Sequence, residues 1–246
     1  MPLYREQGIV LRTYKLGETD RIVHLLTAGR GKLRAVAKGI RRPGSKFGGR
    51  LEPFSHVDLQ LYEGRSLDII SSAELITPFH QIRADFALSA CGSTMVEGAD
   101  RIAQEDQRAQ GLFLLLLNGL RTLATNPSQP SLVLDAYLLR LASEAGYHPS
   151  LAACANCGAP GAHQVFHIAI GGVLCPDCAP ADSQPLAPGL VEYLTGLTNT
   201  PWDQLSGGLA TEYDAHHLSR RAGALVSSYL TYHLGRPLKA WEAVPR

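Results

Sequence analysis

The 246-residue sequence predicts an α+β multidomain fold: an N-terminal five-stranded barrel, then a helical bundle that contains a short cysteine-rich insertion. Three observations support this prediction. Residues 1–79 contain five short runs of β-branched and apolar residues separated by turn residues. The following segments are rich in Leu and Ala at helical spacing. Two C-x2-C pairs then interrupt the helical pattern before it resumes.

The five predicted strands share an N-terminal module, and the pattern changes after Thr77-Pro78. They cover residues 8–15, 21–27, 32–38, 56–62 and 67–75. The breaks between them supply Gly, Pro, Asp or Ser for turns. A five-stranded module fits an oligonucleotide-binding (OB) fold better than a sandwich, which usually needs seven or more strands. We therefore predict an OB-fold domain over residues 1–79.

The helical bundle is predicted in two parts, residues 80–148 and 189–246, with the insertion at residues 149–188 between them. Gly146 is placed to end a helix as a C-cap. The predicted helices cover residues 84–103, 111–125, 132–145, 190–197 and 212–234.

Charge is segregated along the chain although the totals nearly cancel, with 23 Lys and Arg against 22 Asp and Glu. Residues 1–50 hold 12 basic and 3 acidic residues, a net of +9, which leaves −8 for the remainder. Residues 30–50 contain eight basic residues and no acid. Such asymmetry indicates a polyanionic partner, and nucleic acid is favoured over its main rival, an anionic membrane surface.

Period-two alternation places the strand cations on the face opposite Leu33, Ala35 and Ala37. The Gly-rich loop that follows adds further cations on an adaptable backbone that can follow phosphates. The aromatic residues Phe47, Phe54 and Tyr14 are either base-stacking platforms or core, and core is favoured for Phe54. The predicted nucleic-acid contacts are Lys32, Arg34, Lys38, Arg41, Arg42, Lys46 and Arg50.

Four cysteines at Cys154, Cys157, Cys175 and Cys178 form two C-x2-C pairs, which is typical of a structural zinc knuckle with four thiolate ligands. Two disulfides require an oxidising compartment, and a redox C-x-x-C has no reason to be paired. A deaminase-type catalytic zinc needs an H-x-E motif, which the sequence lacks.

Three further residues have less favoured roles near or outside this site. His163 and His167 lie between the cysteine pairs and are alternative ligands of lower rank than the thiolates. Cys91 is expected to be a buried apolar residue and not a nucleophile.

Motifs for enzyme chemistry are missing from the sequence, so we expect a non-enzymatic protein. GIRRPGSK fails as a phosphate loop because Ser45, and not Lys, follows Gly44. The longest apolar run, LFLLLL, is too short for a membrane span, and the N-terminus lacks a secretory pattern. A cytoplasmic protein is expected.

The order of these parts, together with the stretch GIVLRTYKLGETDRIVHLLTAGRGKLRAVAKGIRRPGSKFGGRLEPF, resembles the RecO family of bacterial DNA repair proteins. The specific positions are Gly8, Glu18, Asp20, Thr27, Gly31, Lys38, Gly39, Ser45 and Leu51-Glu52-Pro53-Phe54. Family members do not all keep the four cysteines, so the zinc prediction rests on their spacing here.

This resemblance implies a nucleoid-associated recombination mediator that binds single- and double-stranded DNA and anneals complementary strands. It implies RecR as a partner, and assistance in loading RecA onto strands coated by single-strand binding protein (SSB). A second hypothesis from the residues is an RNA-binding scaffold built from the knuckle, helices and basic barrel. Annealing of SSB-coated DNA distinguishes the two hypotheses.

Overall fold

A computed structural model describes residues 2–246 and shows the predicted barrel closed by five strands in the order β1-β2-β3-β5-β4. β4 pairs again with β1, and every neighbouring pair is antiparallel except β3 with β5. This is an OB-type barrel, as the sequence predicts. Its strands are β1 (Leu3–Leu16), β2 (Asp20–Thr27), β3 (Gly31–Ala37), β4 (His56–Tyr62) and β5 (Asp68–Thr77).

The barrel closes weakly between β3 and β5, where only Ala35 with Asp68 and Val36 with Ile69 are paired. The free first half of β3 meets the helical region instead, since the Lys32 N–H donates to the Gln104 carbonyl at 2.9 Å. Gly31 has a φ of +63°, and a Cβ there would overlap carbonyl oxygens of the same segment. Glycine is therefore required where the barrel contacts the helices.

The helical bundle follows and confirms the predicted helical periodicity to within a few residues at most helix ends. Two short helices, His80–Ala84 and Trp202–Leu205, escaped prediction because five and four residues are too few to show a period of 3.6. The helices are α1 (His80–Ala84), α2 (Phe86–Ile102), α3 (Gln110–Ala124), α4 (Pro130–Glu144), α5 (Leu190–Asn199), α6 (Trp202–Leu205) and α7 (Ala215–His233), followed by a 3-10 turn at Lys239–Ala243.

Helix α4 lies at the centre of the bundle, with Leu132, Leu138 and Leu141 fully buried or nearly so. Tyr137 is also fully buried, and its hydroxyl donates to the Met95 carbonyl of α2 at 3.0 Å. Because the one polar atom of this side chain is satisfied, the ring contributes packing without an unpaired hydroxyl.

The chain after α7 crosses α2 and is fastened there by one carboxylate. Glu97 accepts from the backbone N–H groups of Lys239 at 3.0 Å and Ala240 at 2.8 Å. Helix α2 therefore holds the C-terminal segment in place.

The cysteine-rich insertion forms a three-stranded sheet of β6 (Val165–His167), β7 (Gly172–Leu174) and β8 (Gln184–Pro185), in the order β7-β6-β8. Phe166 packs edge-on against Tyr229 of α7, with ring centroids 5.8 Å apart. This contact seats the insertion on the bundle. The domain boundaries at residues 79, 148 and 188 stay predictions. Across residues 2–246, no helix combines the length and apolar character that a membrane span needs.

Candidate nucleic-acid interface and metal centre

Residues 38–50, here called the basic loop, connect β3 to the turns that precede β4. The loop is anchored at its start, where the Gly39 N–H donates to the Asp20 carboxylate at 2.8 Å and the Arg41 N–H donates to the Thr19 carbonyl at 2.9 Å. Phe47 is 1% exposed and packs into the barrel core. The sequence suggests an adaptable loop, but these anchors give it a defined path.

The five cations of the basic loop are exposed, and within residues 2–246 none of them forms an ion pair with a carboxylate. Backbone carbonyls orient three of them: Arg41 donates to Glu18 at 2.9 Å, Lys46 to Ser71 at 2.6 Å and Arg50 to Lys46 at 2.7 Å. Carbonyls fix the positions of the side chains without cancelling their charge. The loop therefore presents positive charge to solvent.

Asp20 anchors the start of the basic loop, because its carboxylate accepts a hydrogen bond from the Gly39 N–H. The hydrogen bond from Gly39 holds the pKa of Asp20 below its ordinary value, and the charges of Arg42 and Lys38 act in the same direction. The carboxylate therefore stays ionised and keeps the anchor at neutral pH.

Lys32 and Arg34, two of the three predicted strand cations, differ from the loop cations because the helical region supplies an acid to each of the two. The third, Lys38, follows the end of β3 and belongs to the basic loop. Lys32 Nζ lies 3.2 Å from Asp100 Oδ1, and Arg34 Nε lies 2.9 Å from Glu105 Oε1. Arg12 joins them, with Nη2 2.8 Å from Asp100 Oδ2. Arg12 was not among the predicted contacts, because a β-bulge between Val10 and Arg12 shifts the alternation of β1.

The candidate stacking aromatics fall into two classes. Phe47 and Phe54 are 1% and 5% exposed and belong to the cores, so neither ring is open to a base. Tyr14 is 48% exposed and packs edge-on against His24, with ring centroids 5.2 Å apart. Of the three candidates, only Tyr14 presents an accessible ring.

The four predicted cysteines converge on one point, with all their sulfur atoms within 4.8 Å of one another. Cys157 Sγ lies 3.8 Å from Cys175 Sγ. A tetrahedral site with metal–sulfur bonds of about 2.3 Å has sulfur atoms about 3.8 Å apart. The cluster therefore fits a metal ion held by four thiolates.

The protonation of these thiols also favours a bound cation. Backbone N–H groups of Cys157 and Cys175 point at the Cys154 sulfur and lower the pKa of that thiol to about 6. Burial, together with hydrogen bonds from neighbouring thiols, raises the pKa of Cys175 to about 12. All four thiols can be deprotonated together at neutral pH only if a positive ion lies among them.

Both histidines of the insertion lie outside this cluster. His163 Nε2 is 2.9 Å from the Ala159 carbonyl, while His167 Nε2 faces Asp182 at 3.3 Å and its Nδ1 accepts from Ile170 N–H. Both rings therefore contact partners within the insertion and not the four sulfur atoms. The geometry leaves the ligand set to the four cysteines.

Cys91 lies far from this chemistry in helix α2. It is 1% exposed, and burial raises the pKa of its thiol to about 12. Such a thiol is a poor nucleophile, and within residues 2–246 Cys91 belongs to no cluster of possible metal ligands. The expectation that Cys91 is a buried apolar residue is confirmed.

Comparisons with known proteins agree along the whole chain. The family model described as "Recombination protein O N terminal" matches residues 1–79, and "Recombination protein O C terminal" matches residues 83–242. A DNA repair protein RecO from Nocardioides sp. is 47% identical over 99% of this chain and 100% of the relative. Proteins of the same name from Streptomyces griseus and Frankia casuarinae are 45% and 44% identical, with both chains fully covered.

Proposed function

Because this chain belongs to the RecO family of DNA repair proteins, we propose that it is a non-enzymatic recombination mediator that binds single- and double-stranded DNA and anneals complementary strands. With RecR, it helps to load RecA onto SSB-coated single strands in the cytoplasm, at the nucleoid. The exposed cations of the basic loop, which have no carboxylate partner within residues 2–246, carry this proposal.

DNA lies along the basic loop, with the phosphate backbone contacting Lys38, Arg41, Arg42, Lys46 and Arg50. The predicted contacts Lys32 and Arg34 lie beside the loop on β3, where Asp100 and Glu105 pair with them. Contacts from Lys and Arg to phosphates bind DNA without reading base edges. Annealing requires this, because the bases must stay free to pair. Charge neutralisation between two strands needs no nucleotide hydrolysis, and no catalytic residue is assigned.

Zinc is the proposed metal of the cysteine cluster, since four thiolates in a tetrahedral arrangement favour it over hard cations such as magnesium and calcium. Its role is structural, because four protein ligands leave no open position for a reacting molecule. The ion fixes the insertion so that β6 and Phe166 can pack on α7.

DNA binding is tested with a fluorescent single-stranded oligonucleotide and Lys38→Gln/Arg42→Gln. Within the described chain, neither side chain makes a hydrogen bond or ion pair, so the exchange leaves the fold intact. We expect weaker binding, and the slope of log affinity against log salt should flatten by about 0.7 for each lost phosphate contact.

The matched control is Arg220→Gln/Arg221→Gln, which removes two exposed arginines from α7, distant in sequence from the basic loop. It should leave the slope near the native value. If both variants behave alike, net charge and not the basic loop governs binding. Annealing of SSB-coated complementary DNA strands then tests the mediator role, because an RNA-binding scaffold has no reason to promote it.

A further inference from the structure

The outer surfaces of β1 and β3 bring Arg12, Lys32 and Arg34 together, and we name these three residues the cationic face. The strand register places Arg12 opposite His24, and His24 opposite Arg34. Burial, followed by the charge of Arg12, lowers the pKa of His24, so this ring is neutral at pH 7. Two residues of the cationic face, Lys32 and Arg34, lie on β3, and Arg12 lies on β1 beside β2. OB folds bind oligonucleotides on the surface of strands 2 and 3.

Two acids of the helical region cover the cationic face. Asp100 of α2 contacts both Arg12 and Lys32, at 2.8 and 3.2 Å. Glu105 lies in the segment between α2 and α3 and contacts Arg34 with both carboxylate oxygens. Oε1 is 2.9 Å from Nε, and Oε2 is 3.3 Å from Nη2. The contacts at 2.8 and 2.9 Å fall within the range that phosphate oxygens adopt from Lys and Arg.

We propose that the cationic face is a second DNA-strand surface beside the basic loop, closed in this state by Asp100 and Glu105. This inference rests on the proposed DNA binding and deepens it. A protein that anneals two strands must neutralise two phosphate backbones, and the basic loop supplies cations for one of them. Displacement of the two acids makes the cations of the second surface available.

The closure is weakest at Glu105. The side chains of Arg34 and Glu105 are 42% and 50% exposed, and an ion pair with that exposure contributes little net stability, whereas those of Lys32 and Asp100 are 20% and 13% exposed. The backbone of the same segment is held to the barrel by the Gln104 carbonyl on Lys32 N–H at 2.9 Å and by Ala109 N–H on the Ala28 carbonyl at 3.1 Å. Opening at Glu105 therefore breaks these two backbone hydrogen bonds, whereas α2, which carries Asp100, shares a buried core with Ile9, Leu11 and Leu26 of the barrel.

A cleft of about 390 Å³ already opens beside Glu105. It lies between the β4–β5 turn and the segment that carries Glu105, so a strand that enters it reaches Lys32 and Arg34 directly. The charge of its lining is balanced, with four basic and four acidic residues. The basic residues are Arg30, Lys32, Arg34 and Arg65, and the acids are Glu63, Asp68, Glu105 and Asp106.

The test compares Asp100→Asn/Glu105→Gln with the charge-matched control Glu192→Gln/Asp203→Asn, which removes two exposed acids elsewhere in the helical region. Binding of a single-stranded oligonucleotide is measured across a salt titration. In the native protein, DNA phosphates release cations when they bind the cationic face. Each carboxylate that they displace takes up a cation from solution, so the net release of counterions is small. Without the two acids, the slope should steepen by about 0.7 for each cation that gains a phosphate.

A steeper slope and tighter binding than the control support the closed second surface. Equal slopes in the variant and the control overturn this inference while leaving DNA binding by the basic loop intact. If the native protein itself shows no salt-dependent binding, the proposed function fails first, so the two failures are distinguishable.

Hydrogen exchange on the native protein provides a second measurement that does not depend on folding of the variant. With saturating oligonucleotide at low salt, the amides of Lys32 and Ala109 should exchange faster, because their acceptors on the other side of the contact move away. Unchanged or stronger protection of both amides contradicts opening of the cationic face.

Discussion

Arg246 and Asp135 form a two-pronged ion pair inside the helical bundle, with Nη1 2.7 Å from Oδ2 and Nη2 2.8 Å from Oδ1. Asp135 is fully buried in the middle of α4, and the absence of a side chain at Gly223 leaves room for the guanidinium. The guanidinium also lies over the Trp241 ring, 4.1 Å from its centroid. A buried charge pair therefore fastens the C-terminal segment to the core.

Arg246→Met should lower the free energy of unfolding by about 3 kcal/mol at pH 7, because it leaves Asp135 buried and without its partner. The double variant Asp135→Asn/Arg246→Met is the control, since it removes the uncompensated charge and should recover part of the loss. Urea unfolding of the three proteins measures both effects. A single variant as stable as the native protein contradicts the assigned pair.

The loss in Arg246→Met should also depend on pH. Burial raises the pKa of Asp135 from 3.8 to about 6 in the native protein, and Arg246 opposes this rise. Without Arg246 the pKa rises further. A carboxyl whose folded pKa exceeds its unfolded value contributes stability that is complete below the unfolded pKa and lost as pH rises through the folded pKa. Relative to the double variant, the single variant should therefore lose stability between about pH 4 and about pH 7, and parallel profiles would rule this out.

Cys175→Ser should reduce bound zinc and the yield of folded protein, because the remaining three thiolates hold the metal less tightly. Cys91→Ala is the control, since it removes a buried thiol that lies outside the cluster and should keep one zinc per chain. Metal analysis of the purified proteins measures the difference. Folded Cys175→Ser should still bind DNA through the basic loop. Normal zinc content in that variant is incompatible with the four-cysteine site.

Gly31→Ala and Gly44→Ala form a matched pair, because both positions have positive φ, +63° and +71°. An alanine in that conformation costs about 1 kcal/mol at either position. At Gly31 the added methyl also overlaps the Gln104 and Gln107 carbonyls, whereas nothing lies within 4 Å at Gly44. Gly31→Ala should therefore be the less stable by at least about 1 kcal/mol in urea unfolding, and equal losses would exclude a tight contact there.

Phe47→Leu and Tyr14→Leu distinguish a core aromatic from an exposed one. Phe47 is buried among barrel residues, so its loss should reduce the unfolding free energy by about 1–2 kcal/mol. Tyr14 is half exposed, and its replacement should change stability by less than about 0.5 kcal/mol. Urea unfolding measures both, and a reversed order contradicts the placement of these rings.

The sequence predicted the elements with regular local patterns. Runs of β-branched and apolar residues between turn residues revealed the five strands. Two turn-forming C-x2-C pairs were enough to predict that four sulfur atoms converge, which the structure confirms. The long helices were visible from their apolar spacing. In each case the information lies within a few neighbouring residues.

Features that depend on distant residues were not predictable in this way. Strand alternation correctly set Lys32 and Arg34 apart from the apolar face, yet nothing near them reveals that Asp100 and Glu105 neutralise them. Likewise, no local pattern around Asp135 identifies its partner 111 residues away. Partner choice among charges is decided by tertiary packing, which a single sequence does not display.

The contact between β3 and β5 consists of two residue pairs, and this affects how the chain folds during synthesis on the ribosome. All five strands leave the exit tunnel before Gln104 does, so the first half of β3 has no partner on that side when the barrel first forms. An unpaired strand edge is a template for wrong pairing with other chains. We therefore expect the nascent barrel to be most prone to aggregation in the interval before α2 and Gln104 emerge and complete its wall.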